Sequence, residues 1–221
     1  MEGINQSQVK PEIGYTFASG LRQILRQDPD VIMVGEMRDS ETAGLAVNAA
    51  LTGHVVLSTI HTNNSIGVIP RLADLGVPQF LLSSSINIMV AQRLVLRLCP
   101  DCKVKVSVSG ELEKVIIEAL KELPKGAKAK ALQTEPPFTV YRPGEDKNCK
   151  TCKGKGSSGR EALIEIFKMT QELGDIISAG FTEGKLLNEA KRQGMMTLRQ
   201  DGVLKALAGD ISLEDVMRES V

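Results

Sequence analysis

Two cysteine pairs constrain this chain more than any other feature. All four of its cysteines fall in Cys99-Pro100-Asp101-Cys102 and Cys149-Lys150-Thr151-Cys152. The two-residue spacing lets both sulfurs of a pair reach one tetrahedral ion, so residues 99–102 and 149–152 are predicted to meet at a zinc. Four Cys ligands close the coordination sphere and leave no position for substrate, which makes the metal structural. A redox dithiol protein is the alternative reading, and it predicts no bound metal. The 46 residues between the pairs exceed the gap of a simple zinc ribbon, so the ion is expected to staple the base of an inserted subdomain.

The length of 221 residues suggests one domain with an appendage, large enough to fold without disulfides. Apolar residues are 42% and charged residues 24%, an ordinary globular balance. Net charge is +0, which disfavours a generally basic nucleic-acid binder. Apolar runs such as Val31–Val34 and Val55–Leu57 fall far short of the ~18 residues that span a bilayer. The start, Met1-Glu2-Gly3-Ile4-Asn5-Gln6, has neither the basic nor the apolar region of a signal peptide. A cytoplasmic protein is expected, where thiols stay reduced.

Residues 1–98 read as alternating helix and strand. Phe17, Leu21, Ile24 and Leu25 share one helical face, ended by Asp28-Pro29. Val31–Val34 reads as a strand covered on both faces. Asp39-Ser40 caps a helix over Glu41–Leu51, stopped at Gly53. Val55–Ser58 is a second buried strand. A helix over Ile66–Leu75 stops at Gly76, and a long helix is predicted from Pro78 through Gln92. This order is that of a parallel sheet flanked by helices. Between Lys103 and Lys155 the chain carries eleven Lys, one Arg and seven acids, including Lys125-Gly-Ala-Lys-Ala-Lys130, and reads as a solvated basic insert. After a strand at Ala162–Phe167 the chain is helical, with Gly209 as a stop and Ser212-Leu213-Glu214-Asp215 opening the last helix.

In open α/β sheets, ligands lie beyond the carboxyl ends of strands. Glu36 leaves the first strand there, placed to hold a metal-bound water or orient a nucleophilic one. The second strand runs into Thr59-Ile60-His61-Thr62-Asn63. Both histidines, His54 and His61, flank that strand, as candidates for chemistry or as ordinary structural residues. Arg22 and Arg26 are four residues apart and share a helical face, either as solvated ion pairs or as two guanidinium groups offered to a phosphate.

Several boxes then carry a resemblance. Gly3–Val9, with Thr16-Phe17-Ala18 and Leu21-Arg22 through Leu25-Arg26-Gln27-Asp28-Pro29-Asp30, resembles the ATPases of type II secretion and type IV pilus assembly. Ile32–Asp39 is similar to their Walker B box and Thr52–Asn63 to their histidine box. Ile69-Pro70-Arg71-Leu72, Ala91-Gln92-Arg93-Leu94 and the first cysteine pair follow in the family's order. The second pair and Gly159-Arg160 resemble the tetracysteine element of the GspE/PilB branch.

The resemblance implies a RecA-like P-loop ATPase: residues 1–98 form the carboxyl-terminal half of the ATPase core, 99–159 a tetracysteine zinc-binding insert, and 160–221 a strand plus helical subdomain. It implies ATP and magnesium as ligands. Glu36 is the implied Walker B acid and His61 the contact to the γ-phosphate, with His54 in support. Arg22, Arg26, Arg38, Arg71 and Arg160 are implied phosphate contacts or arginine fingers, and Thr59 a nucleotide-binding residue. The implied partners are a homo-hexameric ring and an inner-membrane platform protein, with no nucleic acid and no membrane insertion; the implied location is the cytoplasmic face of the inner membrane.

Two departures stand out. No Gly-x-x-x-x-Gly-Lys-Ser/Thr occurs in the chain, and Gly154-Lys155-Gly156-Ser157-Ser158 has the wrong spacing to replace it. The chain therefore resembles the half of the motor domain without its phosphate loop, and by itself is expected to bind ATP feebly and not turn it over. Ser157-Ser158 also stand where relatives present an aromatic residue beside the cysteine element.

Overall fold

The computed structural model describes residues 3–128 and 133–220. Met1 and Glu2 of the amino terminus, and Ala129-Lys130 of the lysine-rich stretch, lie outside the described residues. The chain divides into two compact units, one of residues 1–62, 66–89 and 168–186, the other of 63–65, 90–167 and 187–221.

In the first unit, Thr16 caps helix α1 (Phe17–Ile24) in a reciprocal box with Ser19. A 3-10 turn, Leu25–Gln27, ends at Asp28, which is left-handed and immediately precedes Pro29. Strand β1 (Val31–Val34) leads into helix α2 (Ser40–Leu51), whose first turn is capped by the Asp39 carboxylate accepting from Thr42 N–H. Strand β2 (Val55–Ser58) pairs parallel with β1, Val34 opposite Ser58. Leu21, Ile32, Val34, Ala46 and Ala49 form the core between α1, α2 and the strands. Helices α3 (Val68–Asp74) and α4 (Gln79–Ser85) follow as short segments.

Two expectations for these strands are corrected. Val31 and Met33 are 57% and 74% exposed, and Val55 and Leu57 are 55% and 53% exposed. Only one side of the pair is covered among the described residues, by α1 and α2. A hollow of about 580 Å³ beside β1 is lined by Ile4, Phe17, Ile24, Val31, Met33 and Leu57 among others.

The long helix through Gln92 is also corrected. Helix α4 stops at Ser85, whose hydroxyl bonds back to the Leu81 carbonyl, and Ile86 is extended. Strand β3 (Ile88–Leu98) takes over. Met89, Ala91 and Val95 are buried while Ile88, Val90, Leu94 and Leu96 face outward, a period of two that a helix cannot satisfy.

The second unit begins within β3, which hydrogen-bonds to β6 (Ser157–Lys168). Between them come β4 (Val104–Ser107), α5 (Glu111–Lys121), the single turn α6 (Lys125–Lys128) and β5 (Thr139–Arg142), with β4 antiparallel to β5. The insert is thus more than solvated surface: its Ile116, Leu120, Phe138 and Val140 share one core with Val203, Leu207, Leu213 and Val216. Lys105, Lys114 and Lys121 stay exposed, because burying a charge without a partner is costly.

Helices α7 (Gln171–Ser178) and α8 (Glu183–Arg192) follow β6, and α7 packs on α4 within the first unit. Helix α9 (Leu198–Ala208) closes at left-handed Gly209, where a Cβ would lie 2.6 Å from the Tyr141 ring. Ser212 caps α10 (Leu213–Glu219) by accepting from Asp215 N–H. Among the described residues no helix is long and apolar enough to cross a membrane.

Candidate nucleotide site and metal centre

The carboxyl ends of β1 and β2 build the first site, all within the first unit. Thr59 brackets the turn that carries Glu36. Its hydroxyl donates to the Gly35 carbonyl at 2.7 Å, and its own carbonyl accepts from Met37 N–H at 2.9 Å. Glu36 is thereby held beside the exit of β2. His61 Nε2 lies 2.9 Å from Glu36 Oε2, and Arg38 Nε lies 2.8 Å from the same oxygen. The Arg38 guanidinium, and after it the His61 ring, holds the Glu36 carboxyl below its ordinary value of 4.5. An ionised carboxylate beside a cation and an imidazole is equipped to orient water and to balance charge on a phosphate.

The other predicted residues lie apart from this pair. His54 sits at the opposite end of β2, with Nδ1 3.0 Å from the Ala49 carbonyl and 3.2 Å from the Thr52 hydroxyl, tied to the end of α2. Arg22 forms an ion pair with Glu41 in the first turn of α2. Arg26 falls in the 3-10 turn after α1, so the two arginines do not continue one α-helical face. Arg71 is exposed on α3, and Arg160 is exposed on β6 in the second unit. Arg38, expected among the phosphate contacts, also pairs with Glu36 two residues before it, and that short separation was the available signal.

The second site lies in the second unit. Cys99 Sγ is 3.7 Å from Cys149 Sγ and Cys102 Sγ is 3.6 Å from Cys152 Sγ, and all four sulfurs lie within 4.8 Å of one another. A tetrahedron with ~2.3 Å zinc–sulfur bonds has edges of about 3.8 Å, so the thiols fit zinc. They are far outside the ~2.05 Å of a disulfide. Burial pushes the Cys102 thiol up to about 12. At Cys152 burial also acts upward, but hydrogen bonds from Cys149 and from Gly156 N–H prevail and hold it down at about 7. The Thr151 hydroxyl donates to Asp101, joining the middles of the two Cys-x-x-Cys loops.

Comparisons with known proteins bear on the family and the fold. Residues 1–218 match the family model described as "Type II/IV secretion system protein". The chain is 42% identical over 215 residues to the type IV pilus assembly ATPase PilB of Myxococcus xanthus, covering 97% of this chain and 36% of that protein. It is 42% identical over 218 residues to the type II secretion system ATPase E of Vibrio cholerae, covering 99% and 40%. Among solved structures, the pilus retraction motor PilT with bound ADP superposes with a TM-score of 0.59 at 27% identity, over 93% of this chain and 43% of that one. The chain thus spans well under half the length of these relatives.

Proposed function

This chain belongs to the type II/IV secretion system protein family, and on that premise we propose that it is the carboxyl-terminal part of an ATP-hydrolysing motor subunit, serving pilus assembly or protein secretion. The observation that carries the reading is the shared Glu36 oxygen, contacted by His61 and Arg38 at the carboxyl end of a parallel strand pair. Glu36 orients the attacking water or a water of the metal shell. His61 contacts the γ-phosphate, and Arg38 neutralises charge beside it. Thr59 serves the nucleotide site by holding the Gly35–Met37 turn. His54 supports the same box from the end of α2. Arg22, Arg26, Arg71 and Arg160 are candidates for phosphate contacts, within a subunit or across a ring interface. Magnesium bound with ATP would offset charge on the phosphates, with Glu36 placed to hold a water of its shell.

The functional division follows the boxes: 1–98 carries the ATPase residues, 99–159 the tetracysteine insert, and 160–221 the strand and helices beyond it. Cys99, Cys102, Cys149 and Cys152 hold a structural zinc. The complete protein works as a homo-hexamer on the cytoplasmic face of the inner membrane, against a platform protein embedded there. The work is nucleotide-driven movement of packed units.

A second reading rests on one observation. Without a Gly-x-x-x-x-Gly-Lys-Ser/Thr loop, these 221 residues lack the backbone cradle that anchors a triphosphate. Taken alone, they act as a zinc-stabilised interaction module that does not hydrolyse ATP. One assay addresses both readings. The isolated chain releases no phosphate from ATP and magnesium, whereas a longer form that includes a phosphate-loop segment does. Full turnover of that longer form with Glu36→Gln overturns the catalytic assignment.

A further inference from the structure

Lys103 follows the second cysteine of the first pair, and its side chain is tied down. Unlike Lys105, two residues on, it is half-buried. Its Nζ donates to the Gly209 carbonyl at 2.6 Å and stands 4.7 Å from the centroid of the Tyr141 ring. A helix C-terminus carries partial negative charge and unsatisfied carbonyls, so the end of α9 is a favourable place for an ammonium. A ring face adds the attraction of its quadrupole for a cation. The fit leaves no room for a side chain at Gly209, where a Cβ would lie 3.0 Å from Nζ.

The backbone on either side of the cysteine pair meets the same turn. Before the pair, Leu98 N–H donates to the Asp210 carbonyl at 2.8 Å, and Arg97 forms an antiparallel bridge with Ile211. After it, Lys103 N–H donates to the Cys99 carbonyl at 3.1 Å, so Lys103 itself closes the loop that carries both sulfurs. Residues 97–103 are thus fastened at both ends to residues 209–211, with Cys99 and Cys102 between the fastenings. All of these residues belong to the second unit.

Fixing both ends of a short loop removes most of its backbone freedom, so its thiols are presented at a set separation. Groups that orient ligands without touching the ion change metal affinity about ten- to a hundredfold when removed. We propose that Lys103 is a positioning residue for the metal centre: by clamping the first Cys-x-x-Cys loop to the end of α9 and to the Tyr141 ring, it sets the place of Cys99 and Cys102. This role rests on reading the four cysteines as a zinc site. Coupling is reciprocal, so the metal in turn steadies the turn between α9 and α10.

Lys103→Met keeps an unbranched stem and removes the charge and the donor. Zinc affinity, measured by competition with a chromogenic chelator, is expected to fall about tenfold or more. With cobalt(II) in place of zinc, the visible ligand-field bands of the tetrathiolate should change shape, which a loss of stability alone does not produce in a fully loaded protein. Lys103→Arg restores a cation and a donor and should recover much of both. Lys105→Met, the same change at the exposed neighbour, should alter neither. A folded Lys103→Met that binds zinc as tightly as the parent, with the parent's cobalt spectrum, overturns the proposal and leaves the zinc reading intact. A parent chain that takes up neither metal overturns both. If Lys103→Met does not fold, Tyr141→Leu, which removes the ring and leaves the bond to Gly209, decides on the same criteria.

Discussion

His61 and Glu36 leave the ends of two adjacent parallel strands and meet at a single oxygen, with Nε2 of the histidine 2.9 Å from Oε2 of the glutamate. Arg38 reaches that atom from the glutamate's own exit segment. The carboxylate is thus charged and occupied before any ligand arrives.

This arrangement has a definite acid dependence. Arg38, then His61, lower the Glu36 carboxyl from its ordinary 4.5. A group depressed on folding contributes its contacts fully above the ordinary value and loses them as pH falls through the lowered one. Carbon NMR of the Glu36 carboxyl is expected to give a midpoint below 4.5, moving up toward it in Arg38→Gln. A midpoint at or above 4.5 contradicts the geometry.

Elemental analysis of the purified chain is expected to give one zinc held by the four cysteines. Cys99→Ser abolishes stoichiometric metal and lowers stability by several kcal/mol, on the order expected when a structural ion is lost. A chelator should lower the melting temperature of the parent and leave that variant unaffected. A metal-free parent of undiminished stability supports the redox dithiol alternative.

Gly144 has no room for a side chain. A Cβ there would lie 1.7 Å from the Cys102 carbonyl oxygen. Gly144→Ala is expected to cost about 3 kcal/mol or more and to release zinc, as read by denaturant unfolding and metal analysis together. Stability within about 0.5 kcal/mol of the parent would show that the two segments do not approach so closely.

Phe138 tests whether the insert shares the core of α9 and α10. It is completely buried among their side chains, so Phe138→Ala is expected to cost about 3–5 kcal/mol. The nearby exposed Ile117 on α5 provides the control, at well under half that loss in urea unfolding.

The sequence made some of this legible for physical reasons. Asp39, Gly209 and Ser212 terminate helices through local hydrogen bonds, which depend on few residues and show in the sequence. The Glu36–His61 pair was readable because both residues leave strand ends, and parallel pairing brings strand ends together. Strand β3 was misread because no Gly or Pro interrupts the chain between Pro78 and Gln92, so the change from helical to extended period inside that stretch carries no punctuation. Covering on both faces was inferred from the apolar runs of β1 and β2. Hydrophobicity reports what a surface favours, and cannot say which residues supply it. Glu165 escaped notice although a signal existed: an acid in the inward register of Ala162–Phe167 calls for buried donors, and Ser65 and Leu198 supply them.

The outward side of β1 and β2 has a practical consequence. Val31, Met33, Val55 and Leu57 form an aliphatic strip on a narrow ribbon whose outer edges carry no further strand among the described residues. Such a ribbon is adhesive. Concentrated solutions of the chain should scatter light increasingly as sulfate is added, and Met33→Thr should delay the onset of turbidity.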